Sequence, residues 1–160
     1  MTALPDFLES DDALAALIAG FEKGTWPIAQ WTHAAHLALG ASYILDGTNA
    51  LDRLRGNIPN YNVSQGGANT EDAGYHETLT VFWHNLIRDF IRSLPEGLDR
   101  LTVVRAAVTE FAQKRDVFRY CYTFDVVKSR EARAKWIPPD IRQEHQAEAG
   151  TALSPPRDNK

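Results

Sequence analysis

The stretch that most restricts this chain is WTHAAHLALGASYIL, residues 31 to 45. Its conventional polar side chains are Thr32, Ser42 and the two histidines His33 and His36. A helix that is apolar nearly all round belongs in an interior, so other helices must cover it on every side. Two imidazoles carried into such an interior need partners for their ring nitrogens, and burial favours their neutral forms.

The rest of the chain supplies the covering elements. Leu14, Leu17, Ile18 and Phe21 recur at i, i+3, i+4, i+7, the stripe of an amphipathic helix, with Ser10 or Asp11 as cap and Gly24 near its end. The apolar helix lies between Pro27 and Asp46, with Thr32 as an alternative cap that starts it at His33, and Gly47 as its stop. Asn49 or Thr48 caps a third helix carrying Leu51, Leu54, Ile58 and Tyr61, frayed at Pro59. Residues 60–74, NYNVSQGGANTEDAG, are polar, hold three glycines and have no period. They read as a long loop of the kind that forms lids or stays disordered. YHETLTVFWHNLIRDFIRSL then begins a long helix that ends before Pro95, and Leu101, Val104, Val108 and Phe111 mark a fifth. DVFRYCYTFDVV is ambiguous between helix and strand and is assigned to helix, because no partner strand is evident. SREARAKW reads as a short helix capped by Ser129 and ended by Pro138 and Pro139. The expected fold is all-α: residues 1–140 form one compact bundle of about six helices, and residues 141–160 a polar, flexible tail.

Composition narrows the function. With 160 residues, 44% of them hydrophobic, 24% charged and a net charge of −4, the chain reads as one globular domain. A mildly acidic chain without a basic block is a poor nucleic-acid binder. No apolar run reaches the 18 or so residues of a membrane span. The segment MTALPDFLESDD is acidic and lacks a positive region, so no signal peptide is expected and the cytoplasm is the expected location. A single cysteine, Cys121, excludes an internal disulfide and cysteine-rich zinc sites. No P-loop, dinucleotide fingerprint, HExxH or GxSxG motif is present.

What remains is the histidines. Of five, His145 falls in the expected tail, and the other four sit in pairs on two helices. His33 and His36 lie about 60° apart on one helix face, close enough to hold one metal ion together. His76 and His84 share a face but are separated by about 12 Å of helix rise, so the second helix offers one of them more readily than both. His76 opens a helix directly after the polar loop. The expected site is therefore a divalent transition metal (zinc, iron, nickel or copper) held by His33, His36 and His76. Glu77 would act as a further ligand or as general base, with Tyr75 and Thr80 beside it. His84, next to Trp83, reads as structural. Arg53, Arg55, Lys114, Arg115 and Arg119 read as solvated, with Arg55 or Arg119 the candidates for a substrate carboxylate.

At WTHAAHL and, some forty residues on, GYHETLT, the chain resembles a family of small bacterial proteins of unassigned function. Their pattern is an aromatic residue, H-x-x-H-L, a short amphipathic helix, a loop, and Y-H-E-T-x-T; SREARAKWIPPDI looks like their closing segment. The resemblance covers roughly residues 25–140. It implies that His33, His36, Tyr75, His76, Glu77, Thr78 and Thr80 belong to one signature, and it brings no activity with it.

The leading expectation is a small metal-dependent enzyme acting on a small organic molecule under the 60–74 loop. The alternatives are a non-catalytic ligand- or metal-binding module, a metal-free His/Glu acid–base enzyme, and a plain structural domain. Expected partners are a small-molecule ligand, neither nucleic acid nor membrane, and a second copy of the chain if the fourth or fifth helix presents an apolar face.

Overall fold

A computed structural model describes residues 3–141; the expected tail falls almost wholly outside the described residues. Among these there are six α-helices and no strand: α1 (Asp11–Glu22), α2 (His33–Asp46), α3 (Ala50–Ser64), α4 (Glu77–Ser93), α5 (Arg100–Phe111) and α6 (Arg130–Ala134). Short 3-10 turns at Asp6–Leu8, Ile28–Gln30 and Val117–Tyr120 join them. None of the helices is long and apolar enough to cross a membrane.

The caps that fix the helix starts are local. Ser10 accepts from Ala13 N, Thr32 from Ala35 N, Asp99 from Thr102 N and Ser129 from Ala132 N. Thr32, rather than Pro27, sets the start of α2, so His33 is its first residue.

α2 is the axis of the bundle, packed by α1, α3, α4 and α5. Residues 37–43 are buried without interruption, which is why that stretch could dispense with a polar face. Its small residues set the spacing. Ala35, Ala38 and Ala41 share one core cluster with Ile87 of α4 and with Val104, Ala107 and Val108 of α5. A side chain at Gly40 would begin 3.3 Å from the Ile87 Cδ1 methyl. The opposite side of α2 packs Leu39 and Tyr43 with Phe21, Leu54 and Tyr61. There the Tyr43 hydroxyl donates to Glu22 at 2.7 Å and accepts from Asn57 at 2.9 Å, tying three helices together.

Two expectations are corrected. α3 does not fray at Pro59 but runs through it to Ser64. Proline removes one backbone donor, which the Arg55 carbonyl loses on an exposed part of the helix. Past that point burial holds the helix, because Tyr61 is 1% exposed and its hydroxyl donates to the Trp26 carbonyl at 2.7 Å. The loop accordingly begins near Gln65, and it is pinned: Asn69 accepts from Asn62 and from Tyr75 N and donates to the Pro59 carbonyl. The second correction concerns DVFRYCYTFDVV, which is neither α-helix nor strand but a 3-10 turn followed by irregular chain. The closing segment claims its polar groups. The Cys121 carbonyl accepts from Asp140 N and Ile141 N, and the Tyr122 hydroxyl donates to the Ile137 carbonyl.

If close approach at Gly40 sets the α2–α4 spacing, Gly40→Val overpacks the contact with Ile87 and costs about 2 kcal/mol in urea denaturation. A change within about 0.5 kcal/mol would show that the spacing is loose.

Candidate functional site

A cavity of about 640 Å³ opens between the start of α2, α3, the start of α4 and the turn after α5. Its body is apolar, with Trp31, Leu37, Leu54, Ile58, Leu79, Trp83, Ile87 and Phe118 among the lining side chains. Its polar groups include His33, His36, Asn62, Tyr75, His76, Thr80, His84, Arg115, Asp116 and Arg119. This size and composition suit a small organic molecule. Five of the six expected site residues, His33, His36, Tyr75, His76 and Thr80, therefore face one space, while Glu77 is not on its wall.

The two α2 histidines are neutral and their tautomers are set by backbone carbonyls. His36 Nδ1 donates to the Thr32 carbonyl at 2.8 Å, one turn back, which leaves the lone pair on Nε2. Trp31 covers one face of the ring, with centroids 3.9 Å apart. Protein packs densely around the ring, although the residue as a whole is exposed and solvent reaches it through the cavity. Burial drives its pKa down to about 4; the Thr32 bond opposes this, and repulsion from Arg115, and from His33 when that ring is protonated, adds a smaller push downward. His33 Nε2 donates to the Phe111 carbonyl at 3.2 Å, leaving its lone pair on Nδ1, and burial lowers its pKa too.

His76 has a different task. Its Nδ1 accepts from Leu79 N at 3.2 Å, capping α4, and its Nε2 donates to the Val126 carbonyl at 2.9 Å. Both ring nitrogens are engaged, so the ligand role expected of His76 has no open nitrogen in this arrangement. Among the described residues no three His, Cys, Asp or Glu side chains are grouped to hold a metal ion.

Glu77 lies behind the wall. Its Oε1 accepts from Arg55 Nε at 2.8 Å and from a second guanidinium nitrogen at 2.6 Å, and its Oε2 accepts from the Tyr75 hydroxyl at 2.6 Å. Burial alone would raise its pKa, but the bonds from Arg55 and Tyr75 outweigh that and hold it below the usual glutamate range. An ionised, doubly bonded carboxylate off the cavity wall is a poor candidate for a ligand-facing base; it orients Tyr75 instead. Thr80 donates to the His76 carbonyl at 2.9 Å. Thr78, the signature's remaining member, donates to the Lys135 carbonyl at 2.7 Å and accepts from Ile137 N at 3.0 Å, anchoring the closing segment on α4.

Among the polar wall residues, Asn62, His84, Arg115 and Asp116 were not expected at a site. His84 sits two turns along α4 from His76, and the shared face noted in the sequence was its only signal. Arg55, a candidate for a substrate carboxylate, is committed to Glu77. Cys121 is buried and its thiol is pushed up to about 11, so it is no nucleophile.

No family model matches the chain, and no curated protein or solved structure matches it either.

Two outcomes follow from the histidines. His33, His36 and His76 all bind a proton less readily folded than unfolded. Their contribution to stability is complete above the ordinary value of 6.5 and drains as pH falls from there toward about 4. The thermal midpoint should drop by several degrees between about pH 7 and about pH 5, and a flat midpoint would contradict the assignment. Separately, His76→Ala removes a cap and orphans the Val126 carbonyl, costing about 2 kcal/mol in urea denaturation. His76→Asn, which still caps but cannot reach Val126, recovers about 1 kcal/mol of that.

Proposed function

We propose that the cavity binds a small organic molecule and that His36 accepts a proton from it or from water held against it. The observation that carries this reading is an imidazole, on the wall of a largely apolar cavity, whose Nδ1 is locked to the Thr32 carbonyl, which leaves the lone pair on Nε2. A general base needs that lone pair within reach of the ligand, with the ring fixed by its second nitrogen. Burial makes the imidazole a weak base, and negative charge developing on a bound ligand strengthens it. Tyr75 and Thr80 shape the facing wall, and the Arg55–Glu77–Tyr75 chain keeps the Tyr75 hydroxyl in place. The resemblance supports the reading by putting the α2 histidines and residues 75–80 in one signature. This favours the metal-free acid–base alternative, with His36 rather than Glu77 as base.

A second reading keeps a divalent transition metal. After the backbone bonds are counted, His33 Nδ1 and His36 Nε2 each retain a lone pair at neighbouring positions of α2. These two would be protein ligands, with bound ligand or water completing the shell. Calorimetric titration with zinc separates the readings: a 1:1 site lost in His36→Asn favours the metal.

For the acid–base reading, a fragment library is screened by NMR on protein with carbon-13-labelled histidine. Ligands that shift the His33 and His36 rings are then incubated in deuterated water. Wild type should catalyse exchange of an acidic ligand proton, and His36→Asn should lower that rate about 10²-fold or more while binding within tenfold of wild type. Unchanged exchange in His36→Asn would leave only a binding module, and no bound fragments would remove the site altogether.

A further inference from the structure

We propose that the molecule bound in this cavity is an organic carboxylate with one negative charge and a ring-sized apolar body, and that Arg115 recognises its charge. The inference rests on the cavity reading above and adds the chemical class of the ligand. Three kinds of observation support it.

The first is the charge on the wall. Two guanidinium groups and one carboxylate line the cavity: Arg115, Arg119 and Asp116. Arg119 is committed, to Asp116 at 3.5 Å and Asp125 at 3.6 Å. Lys114, next in the chain, is committed to Glu110 at 2.6 Å and does not line the cavity. Arg115, exposed at the rim, makes no ion pair and no hydrogen bond with any described residue. A guanidinium presents a planar fork of N–H donors that matches a carboxylate in two bonds. Arg119 is already answered by two carboxylates, which leaves the single charge of Arg115 to meet a ligand, and that suits a monoanion. A phosphate dianion would leave uncompensated charge beside Asp116.

The second is position. The charge of Arg115 acts on both His33 and His36, in each case adding to the larger effect of burial. A carboxylate seated on Arg115 would therefore lie near the two imidazoles and offset the positive charge that weakens them as bases. Ligand binding and the strengthening of His36 would be one event.

The third is the body of the cavity. Trp31 and Trp83 bring aromatic faces and edges to the same space as the histidines, with His33 lying edge-on to Trp83 at 4.9 Å between centroids. An apolar ring fits such walls, and a wholly polar acid gains nothing from them.

The test uses phenylacetate and its neutral isostere phenylacetamide as probes, titrated against tryptophan fluorescence at neutral pH. Wild type should bind phenylacetate about tenfold or more tightly than phenylacetamide, as expected for a charge-assisted pair. Arg115→Gln should bind both probes equally. Arg92→Gln, which removes an arginine away from the cavity, should keep the preference. A preference retained in Arg115→Gln would overturn the assignment to Arg115. Equal binding by wild type would overturn the carboxylate inference and leave the cavity reading standing. Binding of neither probe would overturn both.

Discussion

The structure turns on the bonds Thr32 makes at the start of α2. Its hydroxyl caps Ala35 N, and its carbonyl accepts both the backbone N–H of His36 and the His36 Nδ1 hydrogen. One residue thus starts the central helix, places the two histidines on its first turn, and decides which nitrogen of His36 keeps a lone pair. The helix it starts is buried farther along, so its first turn cannot swing away from the neighbours that enclose the cavity. A local hydrogen bond sets the tautomer, and packing holds it in register.

The opposite wall shows a contrasting use of polar residues. In the run from Tyr75 to Thr80, nearly every side chain is spent on holding the fold. His76 spans from the cap of α4 to Val126, Thr78 grips the closing segment, and Glu77 joins Arg55 to Tyr75. What looks in sequence like a row of catalytic groups is mainly a scaffold. It aligns α4, the 65–76 segment and the closing segment around the space that His36 faces. Burying polar groups this way is stable only because each finds a partner, and among the described residues no buried side-chain polar atom lacks one.

How much of this the sequence could show depends on distance along the chain. The caps at Ser10, Thr32 and Ser129 lie three residues from the backbone N–H groups that donate to them, and the apolar period of α1, α4 and α5 is equally local, so these elements were legible. The continuation of α3 past Pro59 was not, because it rests on Tyr61 meeting Trp26, 35 residues away. The irregular path after Val117 depends on distant partners: the Cys121 carbonyl accepts from Asp140 N and Ile141 N, and the Tyr122 hydroxyl donates to the Ile137 carbonyl. The same limit applies to the site. The pairing of His33 with His36 could be read from a three-residue spacing, and it does place both on one cavity. The fate of His76 could not, since its second nitrogen is taken by Val126, 50 residues on. Arg115 stands out only once the pairing of Lys114 and Arg119 is known.

The central claim is that His36 stays neutral in the cavity as the Nδ1–H tautomer, with Nε2 open. Long-range proton–nitrogen NMR on nitrogen-15-labelled histidine reads both properties at once, with His36→Asn assigning the resonance. The account predicts a protonated Nδ1, an unprotonated Nε2 and a titration midpoint near 4. An Nε2–H tautomer, or a midpoint at the ordinary 6.5, would contradict it.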